Sequence, residues 1–354
     1  MTDPKLRKPA FLITIDTEGD DLWSMPEVIT TRNAQFLPRF QQLCEQFGLR
    51  PTWLVNWEMA CCDVFRDFGR DVLRRDVGEI GMHLHAWNNP PAAQFDHSDG
   101  ARQPCLIEYP RDDARAKIRA VTQRLEEIFQ TKMRSHRAGR WAMNETYAQL
   151  LIDEGYTVDC SVTPHLSWRH DFAGRSYPGG CDYREFPSHA YWVDVDDIRR
   201  AGDSPLLEVP MTIAPGARRG VAAAVHRLVR RSPRAQRIAD RIFPRHLWFR
   251  PFRGNVRQLP RMLDWAWSQG ADYIEMAIHS SELMPGGSPS FPSAASIETL
   301  YRRLDQLFAA ARGRFEGATL SEYRERFVAA RDEGSPGGAA HSAEIAAGAQ
   351  GANR

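Results

Sequence analysis

Two pairs of residues carry the spacing that a metal-assisted reaction needs. Residues 78 to 87 read Gly-Glu-Ile-Gly-Met-His-Leu-His-Ala-Trp, with His83 and His85 separated by a single residue. Side chains alternate with period two along an extended backbone, so both imidazoles fall on one face and can bind one ion. Residues 11 to 18, Phe-Leu-Ile-Thr-Ile-Asp-Thr-Glu, repeat the geometry with acids: Asp16 and Glu18 stand at i and i+2 where an apolar run ends. Paired histidines alone also suit a hydrogen-bonded core or a solvated surface. Two strand-like runs that each end in ligand-type residues, however, are what an open metal site at the rim of a parallel sheet requires.

The elements that must position these pairs follow from periodicity. After the first strand, residues 33 to 47 place Phe36, Leu37, Phe40, Leu43 and Phe47 at helical spacing, and Gly48 is a natural stop. Residues 51 to 57 read as a strand, 61 to 75 as a helix and 78 to 85 as the third strand, a βαβαβ opening. Residues 88 to 110, rich in Pro, Asn, Asp and Gly, read as a long loop. Further on, the pattern predicts helices over 111–130, 144–154, 255–269 and 296–311, with a last helix ending near Ala330. It predicts strands over 133–138, 156–160, 206–213, 272–279 and 316–320, and leaves 163–205 irregular. Strands alternating with helices favour a closed or nearly closed parallel barrel, with a doubly wound open sheet as the alternative.

Composition bounds the function. The 354 residues suffice for a large core, and 46 basic against 45 acidic residues argue against generic nucleic-acid binding. No apolar run approaches the roughly 18 residues of a membrane-spanning helix. Lys5, Arg7 and Lys8 precede a short apolar run without a small-residue cleavage site, a poor signal peptide. The six cysteines show no Cys-x-x-Cys spacing and read as reduced thiols of a cytoplasmic protein. Between residues 216 and 253 the balance breaks: eleven arginines face one acid, Asp240. That stretch reads as a basic surface insertion in a single domain of residues 1–330, followed by a disordered Gly/Ala/Ser tail over 331–354.

In a βα barrel, functional residues gather at the C-terminal ends of strands. Here those ends carry Asp16 and Glu18, His83 and His85, Arg137, Asp159, and His279. In this order the chain resembles the polysaccharide deacetylases with NodB homology, over roughly residues 10 to 325. The opening acid motif looks like Ile-Asp-Thr-Glu, and the second is similar to Glu79-Ile-Gly-Met-His83. The arginine motif looks like Arg137 in His-Arg-Ala-Gly-Arg-Trp, and the Asp after a Gly-Tyr turn like Asp159. The closing motif is matched by Met276-Ala-Ile-His279-Ser-Ser-Glu. Thr17 stands where a second acid usually follows the first, which gives that role to Glu18. Trp87 stands at the usual second histidine position, so that His-x-His replaces the commoner spacing. Both features resemble a subgroup associated with surface-sugar biosynthesis.

The resemblance implies a distorted (β/α) barrel of about seven parallel strands and a metal-dependent hydrolase that removes an N-acyl group from an amino sugar. It implies a divalent ion, zinc first, held by Glu18, His83 and His85 with one position open. Asp16 is then the general base, Arg137 the charge that keeps it ionised, His279 the acid for the departing nitrogen, and Asp159 a tuner of His279. Trp87, Trp141 and Trp168, with Arg140, are candidates for contact with the sugar. Two other readings stay open: a glycosidase using Asp16 and Asp159 as its carboxylate pair, and a sugar-binding barrel without activity. For the arginine-rich stretch the expected partner is an anionic membrane surface or a lipid-linked phosphate at the inner face of the membrane.

Overall fold

The structure is a computed structural model. It describes residues 8–22, 26, 28–91, 104–169, 180–216, 221–229, 232, 235, 238–239, 243, 245–252 and 255–334. Eight of the eleven arginines of the stretch 216–253 and residues 335–354 of the expected tail lie outside the described residues; the last helix runs on to Gly334, past its expected end near Ala330.

A curled, half-barrel sheet of mainly parallel strands forms the body, the distorted (β/α) barrel that the sequence predicts. Its strands are β1 (Ala10–Thr17), β2 (Thr52–Val55), β3 (Glu79–Leu84), β4 (Ser135–Ala138), β5 (Val158–Asp159), β6 (Tyr191–Trp192), β7 (Leu207–Glu208), β10 (Tyr273–His279) and β11 (Glu316–Ala318). They run in the order β10-β1-β2-β3-β4-β5-β7-β6, with β11 also pairing β1. A separate two-stranded sheet joins β8 (Ile213–Pro215) to β9 (His246–Trp248). The first half alternates strands with helices: α1 (Leu37–Gln46), α2 (Trp57–Ala60), α3 (Asp63–Arg74), α4 (Arg111–Phe129) and α5 (Glu145–Asp153). α6 (Val221–Val229), α7 (Leu259–Ser268), α8 (Ala294–Ala311) and α9 (Leu320–Gly334) complete the set.

All eight residues of β1 are buried, because helices cover one face of the sheet and the barrel interior takes the other. Phe11, Ile13 and Ile15 join the large cluster beneath the helices. Ala10 and Leu12 belong to a smaller cluster with Leu54, Val158, Cys160, Leu207 and Tyr273 that fills the interior. The inward face of β1 therefore runs Ala10, Leu12, Thr14, Asp16, from an apolar floor to a polar mouth.

Several expectations need correction. The strand expected over 206–213 divides into β7 and β8 in different sheets, with Pro210, which has no N–H to donate, between them. The irregular stretch 163–205 contains β6, which pairs antiparallel with β7. The helix expected over 255–269 starts only at Leu259, with Pro260 in its first turn, where the missing N–H costs nothing. All six cysteines are free. Among the described residues, no helix is long and apolar enough to cross a membrane.

Candidate active site

Strand register assembles the site. β1 and β10 pair with Asp16 opposite His279, and β3 and β4 pair with His83 opposite Arg137. Glu18 lies one residue past the end of β1 and is held by its backbone: its N–H donates to Ser280 Oγ at 3.1 Å, and its carbonyl accepts from Ser280 Oγ at 3.1 Å and from Asn33 Nδ2 at 2.9 Å. His85 follows β3 at a tight crossing. Gly139 passes so close to the Leu84 carbonyl that a Cβ there would sit 2.3 Å from its oxygen. Arg140 and Trp141 then both adopt left-handed backbone, φ 60° and 56°, which is costly for residues other than glycine and turns the chain sharply at the rim.

Glu18, His83 and His85 each offer one ligand atom within 4.8 Å of the others. Glu18 Oε2 lies 3.0 Å from His85 Nε2 and 3.5 Å from His83 Nε2, and the two Nε2 atoms face each other at 2.8 Å. His83 Nδ1 lies 2.9 Å from the Arg137 carbonyl and must donate to it, so the neutral ring turns a bare Nε2 lone pair into the cluster. Burial pushes both imidazoles down. Asp16 and Glu18 outweigh it at His83, which is raised, whereas His85, with His83 and Arg140 nearby, falls to about 4 and is uncharged at neutral pH. Burial alone would raise the Glu18 carboxyl, but His279, His83 and His85 hold it well below the usual carboxylate range. An ionised carboxylate and two imidazole lone pairs aimed at one point, with the Glu18 Oε2 atom left without a hydrogen-bond donor, are a donor set that fits a divalent cation.

Next to it, Asp16 Oδ1 accepts from Arg137 Nη1 at 2.6 Å, and its Oδ2 lies 3.7 Å from His279 Nε2. Burial raises the Asp16 carboxyl, but Arg137, His83 and His279 overcome this and bring it down to about 2. The expected pairing of Asp16 with Arg137 is therefore present. Arg137 is fully buried and also donates to Thr14 Oγ1 at 2.7 Å and to the Glu275 carboxylate. Burial pushes Glu275 up to about 7 despite that contact.

Asp159 is elsewhere. It is fully buried, with Oδ1 2.6 Å from His136 Nδ1 and both oxygens bonded to Ser161, and His136 Nε2 meets the Tyr147 hydroxyl of α5 at 2.8 Å. Its neighbours Val158 and Cys160 point into the interior, so Asp159 must point to the helix side of the sheet. It can neither tune His279 nor form a carboxylate pair with Asp16 across a glycosidic bond. A second acid, Glu208, shares this outer network, and burial together with Asp159 raises its carboxyl well above the usual range.

The groups that meet His279 Nδ1 are Arg250 and Glu282, which sequence reading passed over. Arg250 Nη2 lies 2.6 Å from Nδ1, and Glu282 Oε2 lies 3.4 Å from it. Glu282 was visible as the acid closing His-Ser-Ser-Glu, and Glu275 as a charge inside an apolar strand at the parity of His279. Glu58, at the start of α2, also faces the cluster: burial, reinforced by Glu18, pushes it up to about 7.

The aromatic candidates divide. Trp87 meets His85 edge-on at 6.3 Å between centroids and so borders the cluster. Trp141 is buried, with the Arg137 guanidinium 4.8 Å above its ring and Trp248 at its edge. Trp168 packs on Trp248 and donates Nε1–H to Thr163 Oγ1 at 2.9 Å.

Comparison with family models gives no match, and comparison with curated proteins gives none. Among solved structures the chain is similar to a candidate glycoside hydrolase/deacetylase from Parabacteroides distasonis, at TM-score 0.58 and 9% identity over 91% of this chain and 72% of that one. It is similar to a branching enzyme from Thermococcus kodakaraensis, at TM-score 0.50 and 10% identity over 90% of this chain and 71% of that one. A candidate polysaccharide deacetylase from Mycobacterium smegmatis aligns over 94% of each chain, at 16% identity and TM-score 0.47. At such identities the likeness is one of fold.

Proposed function

We propose that this chain is a metal-dependent hydrolase that removes an N-acyl group, acetyl first, from an amino sugar in a polysaccharide or lipid-linked intermediate. The observation that carries the reading is the convergence of Glu18, His83 and His85 beside an Arg137-held Asp16 and the His279 ring. One carboxylate and two imidazoles suit zinc and leave it an open position. When bound, the ion polarises the acyl carbonyl and makes water acidic enough for a carboxylate as weak as Asp16 to take its proton.

The chain's own residues do the rest. Arg137 occupies Asp16 Oδ1, which leaves Oδ2 to receive the proton as the water oxygen bonds to the acyl carbon. His279, with Nε2 turned to the same point, serves the nitrogen that departs as the carbon–nitrogen bond breaks. Trp87 borders the cluster where a sugar face can stack.

Acetate release from N-acetylated hexosamine oligosaccharides tests the reading. Chelation should abolish it and zinc restore it, and a His83→Ala, His85→Ala double variant should lose one ion per chain after dialysis. Chelator-insensitive release of reducing ends would point to a glycosidase, and sugar binding without acetate release to an inactive barrel. Either outcome overturns the proposal, as does wild-type metal content in the double variant.

The arginine-rich stretch, on this reading, meets an anionic lipid surface at the cytoplasmic face of the membrane. Val221 and Leu228 on α6 are exposed, at 71% and 85%, with Arg227 exposed beside them. Cosedimentation with vesicles containing anionic lipid at low salt is expected to exceed that with neutral vesicles; equal sedimentation would remove the membrane partner.

A further inference from the structure

We infer that Arg250 is a positioning residue that fixes His279 as the tautomer with its proton on Nε2 and aims that proton into the site. The inference deepens the hydrolase reading and rests on it for its catalytic meaning, but the tautomer can be measured without any activity.

Arg250 Nη2 lies 2.6 Å from His279 Nδ1. A guanidinium has only donors and keeps its charge, so Nδ1 must accept and carry a lone pair. In the neutral ring the proton is then on Nε2, 3.7 Å from Asp16 Oδ2 and 3.7 Å from Glu18 Oε1. Glu282 completes the arrangement: both its oxygens lie 3.2 Å from Arg250 Nη2, and Oε2 accepts the His279 backbone N–H at 2.9 Å. The buried Glu282 carboxylate thus has a cation beside it, and the ring is fixed by its own strand, by the turn after it and by Arg250.

The chain delivers Arg250 here for a structural reason. Phe249 is fully buried against Phe11, 5.6 Å between centroids, and its N–H and carbonyl bond to Thr212 and Ala277. With Phe249 anchored in the core, the next residue comes out at the rim beside β10. The last residues of the stretch expected to be a surface insertion therefore build the site.

Without Arg250, the ring is left with the Glu282 backbone N–H, a neutral donor, and with Glu282 Oε2 3.4 Å from Nδ1, a carboxylate that can only accept and that forms the stronger, charge-assisted bond. The ring would then protonate Nδ1 and present a bare lone pair at Nε2, which cannot donate a hydrogen bond to a departing nitrogen. Nε2–H can donate one while that nitrogen takes the proton that Asp16 received from water, so the ring keeps its own proton. A neighbouring cation and a neighbouring carboxylate thus specify opposite tautomers; the Glu282 backbone N–H of the capping box sides with the cation, and Arg250 adds the charge that outweighs the carboxylate.

The test is nitrogen-15 NMR of the His279 ring in the full-length protein, metal-free and zinc-loaded, at a pH where the ring is neutral. The wild type is expected to show a protonated Nε2 and an unprotonated Nδ1, and Arg250→Met the reverse; Arg250→Lys, which keeps a cation, should retain the wild-type pattern. In acetate release, Arg250→Met should lower kcat by roughly 10- to 100-fold with little change in KM, and Arg250→Lys should recover part of the loss. A melting curve and metal content like the wild type's qualify each variant as folded; should Arg250→Met fail there, the wild-type and Arg250→Lys spectra still decide. A protonated Nδ1 in the wild type, or an unchanged tautomer in a folded Arg250→Met protein, overturns the inference. Absence of acetate release in the wild type would instead count against the hydrolase reading, with the spectra still deciding the tautomer.

Discussion

Asp16→Asn is expected to lower turnover by roughly 10²-fold or more while the divalent ion stays bound. Asparagine keeps the shape, and its amide oxygen can still accept from Arg137 Nη1, so the strand end should not move. What disappears is a basic oxygen at the Oδ2 position, which faces His279. The ligand atoms of Glu18, His83 and His85 are untouched, so metal stoichiometry after dialysis should equal that of the wild type. Removing the Asp16 charge also leaves Arg137 with Glu275 as its remaining carboxylate, which should then ionise more readily. Undiminished turnover in the variant would show that Asp16 is not the base, and loss of the ion would show that it belongs to the ligand set.

Arg137→Met should destabilise the protein by about 3–5 kcal/mol, because the change strands buried acids whose shared cation is gone. Asp16 and Glu275 are 3% and 0% exposed, and no other guanidinium is bonded to either among the described residues. Adding Glu275→Gln should recover part of the loss, since one stranded carboxyl becomes neutral. The two acids also give the wild type opposite pH dependences. Asp16, lowered to about 2, contributes stability that is present above its unfolded value near 3.8 and lost as pH falls through about 2. Glu275, raised to about 7, contributes stability that is full below its unfolded value near 4.5 and lost as pH rises through about 7. Glu275→Gln alone should therefore flatten the decline between about pH 4.5 and 7 in denaturation of the metal-free protein. A Glu275→Gln variant that keeps the decline, or an Arg137→Met protein as stable as the wild type, would sink this account of the buried cluster.

Much of the site was legible because its residues stand at strand ends with a clear parity. Asp16 and Glu18, like His83 and His85, are separated by one residue, so extended backbone forces each pair to one side. The same rule, applied more strictly, would have removed Asp159: Val158 and Cys160 are the apolar residues that fit the interior, which sends the acid between them outward. Arg250 was not legible. Its place depends on the burial of Phe249 and the pairing of β8 with β9, contacts across long sequence separations that leave no local pattern. Its ten companion arginines also disguised it as surface charge. Trp141 shows the opposite limit, since the ring expected to serve a sugar is already covered by the guanidinium of Arg137.

The alternation of buried polar groups across β4 has a consequence for how the barrel folds. His136 and Arg137 are consecutive, yet one belongs to the network beneath the helices and the other to the network in the interior. β4 has four residues and β5 two, too few for apolar area alone to penalise a misaligned pairing. A slip of β4 by one position would carry a guanidinium under the helices and an imidazole into the mouth, breaking both networks at once. Charge, where apolar surface is scarce, proofreads the alignment of the short strands.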